Sequence, residues 1–230
     1  MTRRGPDTRR PSCRTVLTVL TREQAFPNRV AGVIRSDDPE AALRACEAAM
    51  EGGIGTVEVT MTVPSCLDVV RRLVASAGGR FPVGVGTVLE PAAVAAARHA
   101  GAAFVVTPAV IPAVAEACAR EDLLCVLGAL TPTEIHAARQ AGAGVVKVFP
   151  VQAVGGPDYV RWLQGPMPGV PLWVSGGVEI DQVERYLSLG VAAIGLTTAL
   201  FPPDAVRRGD TALIAALARR AAAAAGPVWA

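Results

Sequence analysis

Residues 123–149 read LLCVLGALTPTEIHAARQAGAGVVKVF and contain a complete strand–helix–strand unit. A short apolar run at 123–127 precedes a helical stretch at 131–141, and a second β-rich run follows at 145–149. The helical stretch begins with a capping threonine and ends before Gly142, as helix termini prefer. Because the first run is apolar on both faces, it is typical of a strand buried between two layers. The unit therefore predicts two parallel strands joined by a helix.

The same unit recurs along the chain at near-regular intervals. Eight β-rich runs are predicted as strands, at residues 29–35, 56–61, 83–85, 104–107, 123–127, 145–149, 172–174 and 192–196. Helical segments rich in Ala, Leu and Val separate them, for example at 39–51, 64–76, 91–100, 131–141 and 181–189. Eight units within 230 residues favour a closed barrel over an open doubly wound sheet, and no G-x-G-x-x-G motif follows the first run. The predicted fold class is α/β, a (β/α)8 TIM barrel that forms a single domain over residues 29–230.

Residues 1–28 are predicted as an N-terminal extension, partly disordered and with a short helix. Its pairs Arg3-Arg4 and Arg9-Arg10 would also suit nucleic acid or a twin-arginine signal, but no apolar segment of export-signal length accompanies them. No apolar run of the chain approaches the roughly 20 residues that span a bilayer. The net charge is only +2. These features indicate a cytoplasmic protein with no nucleic-acid and no membrane partner.

Lys147 is the only lysine among 22 basic residues. Since the chain uses arginine wherever a cation suffices, the remaining lysine is expected to do what arginine cannot. A buried lysine can lose its proton, and a buried arginine cannot. Lys147 lies in the predicted strand 145–149, and the active sites of such barrels lie at the carboxyl ends of the strands. The pattern predicts amine chemistry, with a lysine retained by chance as the alternative.

Glu58 and Thr60 share one face of the predicted strand 56–61, whose other face is apolar. A carboxylate inside an apolar strand costs several kcal/mol unless it is paired or functional. One interpretation is a buried ion pair between Glu58 and Lys147 that only holds the barrel together. The favoured interpretation is a Schiff base on Lys147. Its iminium accepts the electrons of a breaking C–C bond, while Glu58 transfers protons.

Glycine-rich segments follow three of the later strands. They are Gly155-Gly156, Gly176-Gly177, and Gly195 with Thr197-Thr198 after it. Backbone N–H groups in such segments bind phosphate, and the loops after strands seven and eight are the usual phosphate site of a barrel. A phosphorylated ligand is therefore expected, with ordinary tight turns as the alternative.

Other polar residues carry weaker signals. Thr87, at the end of Gly84-Val85-Gly86-Thr87, is expected to point its hydroxyl at the substrate or to cap a turn. His99 and His136 lie in helical stretches where they are expected to face solvent, so neither a metal site nor a cofactor is predicted. The five cysteines lack C-x-x-C spacing and are interpreted as small buried hydrophobes rather than as a catalytic thiol.

These segments together resemble the class I 2-keto-3-deoxy-6-phosphogluconate (KDPG) and 4-hydroxy-2-oxoglutarate aldolase family, over residues 29–221. The matching segments are Gly52-Gly53, Val57-Glu58-Val59-Thr60, Gly84-Val85-Gly86-Thr87-Val88-Leu89, Thr107-Pro108, Val146-Lys147-Val148-Phe149-Pro150, Gly155-Gly156 and Ser175-Gly176-Gly177-Val178. The resemblance implies a Schiff base at Lys147 and general acid/base catalysis by Glu58. It also implies a homotrimer without a metal. The expected substrate-binding residues are Arg35, Thr60, Thr62, Thr87, Pro108, Phe149, Gly155, Gly156, Gly176, Gly177, Gly195, Thr197 and Thr198.

The chain departs from the family's pattern where the substrate would bind. Thr62 stands where gluconate-type members carry an arginine for the substrate carboxylate, and Arg35 occupies the place of the first-strand arginine of galactonate-type members. Thr197-Thr198 replaces a Gly-Ser pair, and Leu127 replaces a proline. The catalytic pair is complete, whereas the residues expected to recognise the substrate are not the standard ones.

The first function hypothesis is a class I aldolase that cleaves or forms a C–C bond of a 2-keto acid. The expected reaction converts a 2-keto-3-deoxy-6-phospho sugar acid into pyruvate and an aldehyde, and the only partner expected beyond the homotrimer is this small molecule. One alternative is an aldolase-like barrel with a changed substrate in a biosynthetic pathway. Others are a phosphate-binding barrel that works as an epimerase or synthase, and a barrel that binds a phosphorylated ligand without catalysis.

Overall fold

Eight parallel strands pair in chain order, and β8 returns to pair with β1, which closes the barrel. The computed structural model describes residues 20–226; residues 1–19 and 227–230 fall outside this description. The strands are β1 Val30–Ile34, β2 Thr56–Thr60, β3 Val83–Gly86, β4 Phe104–Val106, β5 Leu124–Ala129, β6 Val145–Val148, β7 Leu172–Ser175 and β8 Ala193–Leu196. The prediction of a (β/α)8 barrel is confirmed.

Helices connect the strands and cover the outside of the barrel. The α-helices are α1 Arg22–Ala25, α2 Pro39–Glu51, α3 Cys66–Ala77, α4 Ala92–His99, α5 Pro112–Arg120, α6 Pro132–Gln140, α7 Pro157–Gln164, α8 Val183–Ser188, α9 Pro203–Arg208 and α10 Thr211–Ala225. Short 3-10 helices at Val151–Val154 and Ile180–Gln182 follow β6 and β7. None of the helices between residues 20 and 226 combines the length and the apolar character needed to cross a membrane.

Side-chain caps determine where the helices begin. The Asp38 carboxylate accepts the backbone N–H of Glu40 at 2.8 Å and thereby starts α2. Thr131 and Glu134 form a capping box at the start of α6. The backbone N–H groups of Thr131 and Leu130 lower the pKa of the Glu134 carboxyl, because they stabilise its ionised form. These polar caps leave the apolar faces of the helices to pack on the barrel.

Side chains alternate across the wall of the barrel. In β2, Val57 and Val59 pack against the helices, and Glu58 between them therefore faces the interior. The apolar residues that face the interior form a separate cluster, which includes Val33, Phe104, Val106, Val126, Val145 and Trp173. Strands of this sheet are thus buried on both sides. A polar residue on an inner face is therefore destabilising unless it is paired or serves a function.

Three aromatic rings fill the amino-terminal part of the barrel. The Phe26 ring lies 5.2 Å from Phe104 and 5.0 Å from Trp173 in edge-to-face contacts. Gly84 of β3 makes this packing possible, because a Cβ there would overlap the Phe104 ring. This aromatic floor closes the lower end of the barrel and leaves the carboxyl ends of the strands as the open end.

The predicted segments agree with the structure to within two residues at most strand ends. The predicted helix 64–76 begins instead at Cys66, because Ser65 adopts a left-handed conformation with φ of 53°. The predicted helix 181–189 is a 3-10 helix followed by α8. Most of the predicted extension, residues 1–19, lies outside the described residues, and its disorder stays a prediction. Phe26, within the predicted extension, is buried in the aromatic floor.

Replacement of Gly52 by alanine should destabilise the barrel through the contact between α2 and α10. The new Cβ would overlap Ala218 and lie 2.6 Å from the Ala215 carbonyl oxygen, although the φ of Gly52, −74°, suits any residue. Gly165 is a matched control, since its φ is −56° and its nearest neighbour would lie 3.6 Å away. Urea titration should show Gly52→Ala lowering the free energy of unfolding by about 1–3 kcal/mol. Equal stability of the two variants would contradict the tight packing.

Candidate active site

The only lysine and a buried glutamate meet inside the barrel. Lys147 extends from β6 and Glu58 from β2, and Lys147 Nζ lies 3.5 Å from Glu58 Oε2. Lys147 is 6% exposed and Glu58 is fully buried. Removing both charges from water costs free energy that their attraction offsets only in part. The pair is therefore expected to serve chemistry as well as stability.

Two aromatic rings complete the surroundings of the amine. Lys147 Nζ lies 5.5 Å from the centre of the Phe149 ring and 5.3 Å from the centre of the Trp173 ring. Phe149 follows the end of β6, and Trp173 pairs with Lys147 in the register between β6 and β7. The amine thus lies between a carboxylate and two ring faces, and it opens into a cavity.

Glu58 fits inside the barrel because Gly86 of the neighbouring strand has no side chain. A Cβ at Gly86 would overlap Glu58 Oε1. This oxygen is buried and has no hydrogen-bond partner in the described part of the chain, residues 20–226. A buried acceptor without a partner costs about 1–3 kcal/mol, and more when it is charged. One oxygen of the carboxylate thus faces Lys147, and the other lies buried beside Gly86 with no donor within residues 20–226.

A cavity of about 350 Å³ lies above the amine at the carboxyl end of the barrel. Its lining combines polar groups at several strand ends with an apolar wall from the segment that follows β8. The lining residues are Val33, Arg35, Lys147, Phe149, Ser175, Gly176, Thr197, Thr198, Phe201 and Pro203. The size suits a small organic acid, and one cationic side chain, Arg35, stands at its edge. Six of the predicted site residues are brought together here: Arg35, Lys147, Phe149, Gly176, Thr197 and Thr198.

Arg35 connects this cavity to the other predicted residues at the ends of β2 and β3. Its Nη2 donates to Thr87 Oγ1 at 3.3 Å, and Thr87 has a left-handed backbone with φ of 58°. Thr60 is buried, donates to the Ile34 carbonyl at 3.1 Å, and lies 2.7 Å from the Thr62 hydroxyl. Arg35 is exposed at the mouth, so its guanidinium is accessible to a ligand carboxylate.

A second cavity of about 350 Å³ adjoins the first and shares Arg35 and Pro203 with it. Its other lining residues are Ser36, Asp37, Thr62, Val206 and Arg207. Thr62 therefore shares the second cavity with Arg35, whereas Lys147 lines the first cavity. An arginine in place of Thr62 would therefore lie beside Arg35 at this second cavity.

Eight predicted site residues line neither cavity, and their predicted roles toward a substrate stay predictions. Three of them, Glu58, Thr60 and Thr87, are described above. Pro108 lies against Gly128, where a Cβ would overlap the Pro108 backbone. Gly156 and Gly177 both adjoin the Gln152 side chain, and Gly155 precedes α7. Gly195 faces inward below Ser175, and a Cβ there would lie 2.5 Å from Trp173 Nε1.

Four residues that line the first cavity, the one above Lys147, were not predicted from the sequence. Val33 and Ser175 face inward from β1 and β7, and their parity with Glu58 and Lys147 on adjacent strands could have identified them. Phe201 and Pro203 come from the segment between β8 and α9. No local pattern predicts that this segment turns back over the barrel, so these two residues required the structure.

The other nucleophilic and metal-binding residue types contribute little to this site. Burial raises the pKa of the Cys66 thiol to about 12, and the nearby charge of Glu58 adds to the effect. Cys46, Cys118 and Cys125 are buried as well, and His99 and His136 are exposed on their helices. Between residues 20 and 226, no three side chains of His, Cys, Asp or Glu come together in a group that could hold a metal ion.

Most of the chain is similar in sequence to known aldolases. Residues 22–217 match the aldolase family described as KDPG and KHG aldolase. The chain is 32% identical over 194 residues to the 2-dehydro-3-deoxy-phosphogluconate aldolase of Pseudomonas aeruginosa, covering 84% of this chain and 87% of that protein. It is 29% identical over 170 residues to the 2-dehydro-3-deoxy-6-phosphogalactonate aldolase of Escherichia coli, covering 74% of this chain and 82% of that protein.

A solved structure shows the same relationship in three dimensions. The KDPG aldolase of Legionella pneumophila, with pyruvate captured as a covalent carbinolamine intermediate, superposes with a TM-score of 0.78 at 26% identity. The superposition covers 86% of this chain and 96% of that one. A buried lysine beside a carboxylate, in a barrel matched over most of its length, places this chain in the KDPG and KHG aldolase family.

Proposed function

We propose that this class I aldolase cleaves a 2-keto-3-deoxy-6-phospho sugar acid into pyruvate and an aldehyde through a Schiff base at Lys147, with Glu58 as the general acid/base. The observation that carries the proposal is the buried amine, 3.5 Å from a buried carboxylate whose second oxygen has no partner within residues 20–226. The Pseudomonas aeruginosa and Escherichia coli relatives are named for substrates of this type.

The first half of the reaction needs a neutral amine. Glu58 Oε2 lies 3.5 Å from Lys147 Nζ and is proposed to take its proton. The free amine then attacks the C2 keto carbon, and the carbinolamine oxygen leaves as water. The product is an iminium between Lys147 and C2. The 3.5 Å distance between Nζ and Oε2 places the proton donor beside the nucleophile at the start of this step.

The iminium then accepts the electrons of the bond that breaks. A base removes the proton of the C4 hydroxyl, the C3–C4 bond breaks, and its electron pair moves toward the iminium nitrogen to form an enamine. The aldehyde leaves, C3 takes up a proton, and water at C2 releases pyruvate and the amine. Glu58 Oε1 supports the base and acid roles, directly or through a water, because it is held in the barrel without another partner between residues 20 and 226.

Arg35 is proposed to hold the substrate carboxylate. It is the only cationic side chain besides Lys147 that lines the cavity, and it does not form an ion pair in the described part of the chain. The phosphate is proposed to bind the strand exits at Gly176, Thr197 and Thr198. Gly176 has a φ of 92° and lies so close to Pro150 that a Cβ would be 2.8 Å from its Cα, which leaves backbone rather than side chain facing the ligand.

A changed substrate within the same chemistry is the second candidate, and Thr62 and Thr197 favour it. Thr62 carries no charge for a carboxylate, and Thr197 places a branched side chain in the cavity where backbone would otherwise approach a phosphate. A biosynthetic role would also fit such changes. Both candidates retain the Schiff base, and they differ only in the groups that contact the far ends of the substrate.

The assembly and location of the protein are proposed on separate grounds. A homotrimer is supported by family membership and by large apolar side chains at the surface, of which Trp162 is 71% exposed and Leu89 is 53% exposed. A cytoplasmic location is supported by the substrate class, because phosphorylated sugar acids are charged metabolites that do not cross membranes unaided.

Trapping with borohydride tests the Schiff base directly. Incubation with pyruvate and borohydride should add one reduced pyruvyl group per chain, and digestion should locate it on Lys147, the only ε-amine. Lys147→Arg should give no adduct and no turnover while the protein stays folded, since arginine keeps the charge but cannot form an imine. An unmodified wild-type mass, or an adduct confined to the N-terminus, would exclude this mechanism.

Glu58→Gln separates imine formation from proton transfer. The amide keeps the shape of the carboxylate but cannot act as a base, so turnover should fall by a factor of about 10² to 10⁴. Borohydride should still trap pyruvate on the variant, which shows that the amine remains reactive. Steady-state cleavage rates and mass spectrometry provide the two readouts. Normal turnover would reduce Glu58 to a structural partner of Lys147.

Arg35→Ala tests recognition of the carboxylate. A charged hydrogen bond contributes roughly 1.5–3 kcal/mol, so the Michaelis constant for 2-keto acids should rise about tenfold or more. An uncharged ketone donor is the control and should be affected less.

Wild-type protein should cleave the phosphogluconate-derived keto acid poorly, and Thr62→Arg should improve that cleavage. Fast wild-type cleavage with an unaffected Arg35→Ala variant would show that recognition lies elsewhere.

A further inference from the structure

The indole ring of Trp173 lies beneath the amine of Lys147 on the inner face of the barrel. Lys147 Nζ is 5.3 Å from the ring centre, and the two residues are register partners on β6 and β7. Trp173 is fully buried, whereas Phe149, the other ring beside the amine, lines the cavity. A ligand in the cavity can therefore contact Phe149 and Lys147, whereas Trp173 does not line the cavity.

Neighbouring residues are arranged to hold an indole at this position. Gly195 of β8 makes room, because a Cβ there would lie 2.5 Å from Trp173 Nε1 and 2.8 Å from Ser175 Oγ. From below, Phe26 contacts the ring edge-to-face at 5.0 Å, and Phe104 lies 6.0 Å away. The two phenyl rings and the space at Gly195 thus hold the indole in place beside the amine of Lys147.

Packing alone does not account for a tryptophan here. Trp173 Nε1 is buried and lacks a hydrogen-bond partner within residues 20–226. A buried N–H without a partner is destabilising, and a purely apolar side chain would fill the floor without that cost. Tryptophan, however, offers the strongest π face for a cation, and the interaction strengthens where water is excluded.

We propose that Trp173 is a positioning residue that stabilises the cationic Schiff base of Lys147 from below. This inference rests on the proposed function, since it requires the iminium at Lys147. The iminium carries a positive charge, and among the described residues only one carboxylate, Glu58, lies within 4 Å of Lys147 Nζ. When Glu58 takes up a proton during the reaction, the indole face remains as a fixed partner for that charge. The ring also fixes the direction of the amine, because it closes the lower side.

The test compares two ligands of the same charge and nearly the same shape. Pyruvate forms an iminium, whereas oxamate is an amide and cannot. Trp173→Leu removes the π face, so the pyruvate concentration that gives half-maximal borohydride trapping should rise on the order of tenfold. The inhibition constant of oxamate, measured as a competitor of trapping, should change less than twofold, because Trp173 does not touch the ligand. Trp173→Phe, with a weaker ring, should lie between wild type and Trp173→Leu.

Trp173→Phe also covers the case in which the leucine variant does not fold, since a phenyl ring retains most of the packing. Equal loss of pyruvate and oxamate binding would show that Trp173 only shapes the cavity, and unchanged trapping would show that it has no role; either result overturns the proposal. If wild-type protein itself traps no pyruvate, the proposed function falls, and this inference falls with it. Wild-type trapping with no difference in the variants overturns this inference alone.

Fluorescence gives an independent readout on the intact protein. The chain has three tryptophans, and Trp162 is an exposed control on α7. Pyruvate should change the emission of the wild type and of Trp162→Phe, because the group against the indole of Trp173 changes from the amine of Lys147 to the iminium. The change should be absent in Trp173→Phe even though borohydride still traps pyruvate there. A pyruvate response that persists in Trp173→Phe would contradict the contact.

Discussion

The buried pair of Lys147 and Glu58 constrains the rest of the barrel. Two opposite charges that lie 3.5 Å apart in an apolar interior impose two requirements on the fold. Their strands must face each other across the interior, and neither side chain may be able to turn toward solvent. Closure of the sheet supplies the first requirement, because β2 and β6 face each other only in a closed barrel. Burial of both strands on both faces supplies the second. An open sheet with the same residues would let either group reach solvent.

Glycines on the inner face create the space that the pair and its supports occupy. Gly86 accommodates the Glu58 carboxylate, Gly84 accommodates the Phe104 ring, and Gly195 accommodates the Trp173 indole. Each glycine lies on a strand next to the one that carries the large side chain. The interior is therefore packed with aromatic rings at the amino-terminal end and left open above Lys147. The position of the cavity follows from this pairing of large and small residues across adjacent strands.

Much of the fold and of the proposed catalytic pair could be predicted because both depend on local patterns. Short apolar runs, capped helices and terminal glycines mark each βα unit, and a single lysine in a strand is visible without coordinates. The segment after β8 could not be predicted, since Phe201 and Pro203 line the cavity only through a turn back over the barrel. Gly195 was expected to contact phosphate as the end of a strand. That contact stays a prediction, and the inward orientation of Gly195, which brings it against Trp173, was not visible in the sequence.

The proposed chemistry and the proposed recognition of the substrate depend on different parts of the barrel. Lys147, Glu58 and Trp173 lie on strands whose register and packing on both sides fix them, so a substitution there disturbs the core. Arg35, Thr62 and Thr197 lie past the strand ends, where a side chain can change without moving the sheet. The exits of the first and second strands border one cavity, because Arg35 and Thr62 both line it. A substitution at these exits is therefore expected to alter the proposed substrate recognition and to leave the buried pair of Lys147 and Glu58 in place.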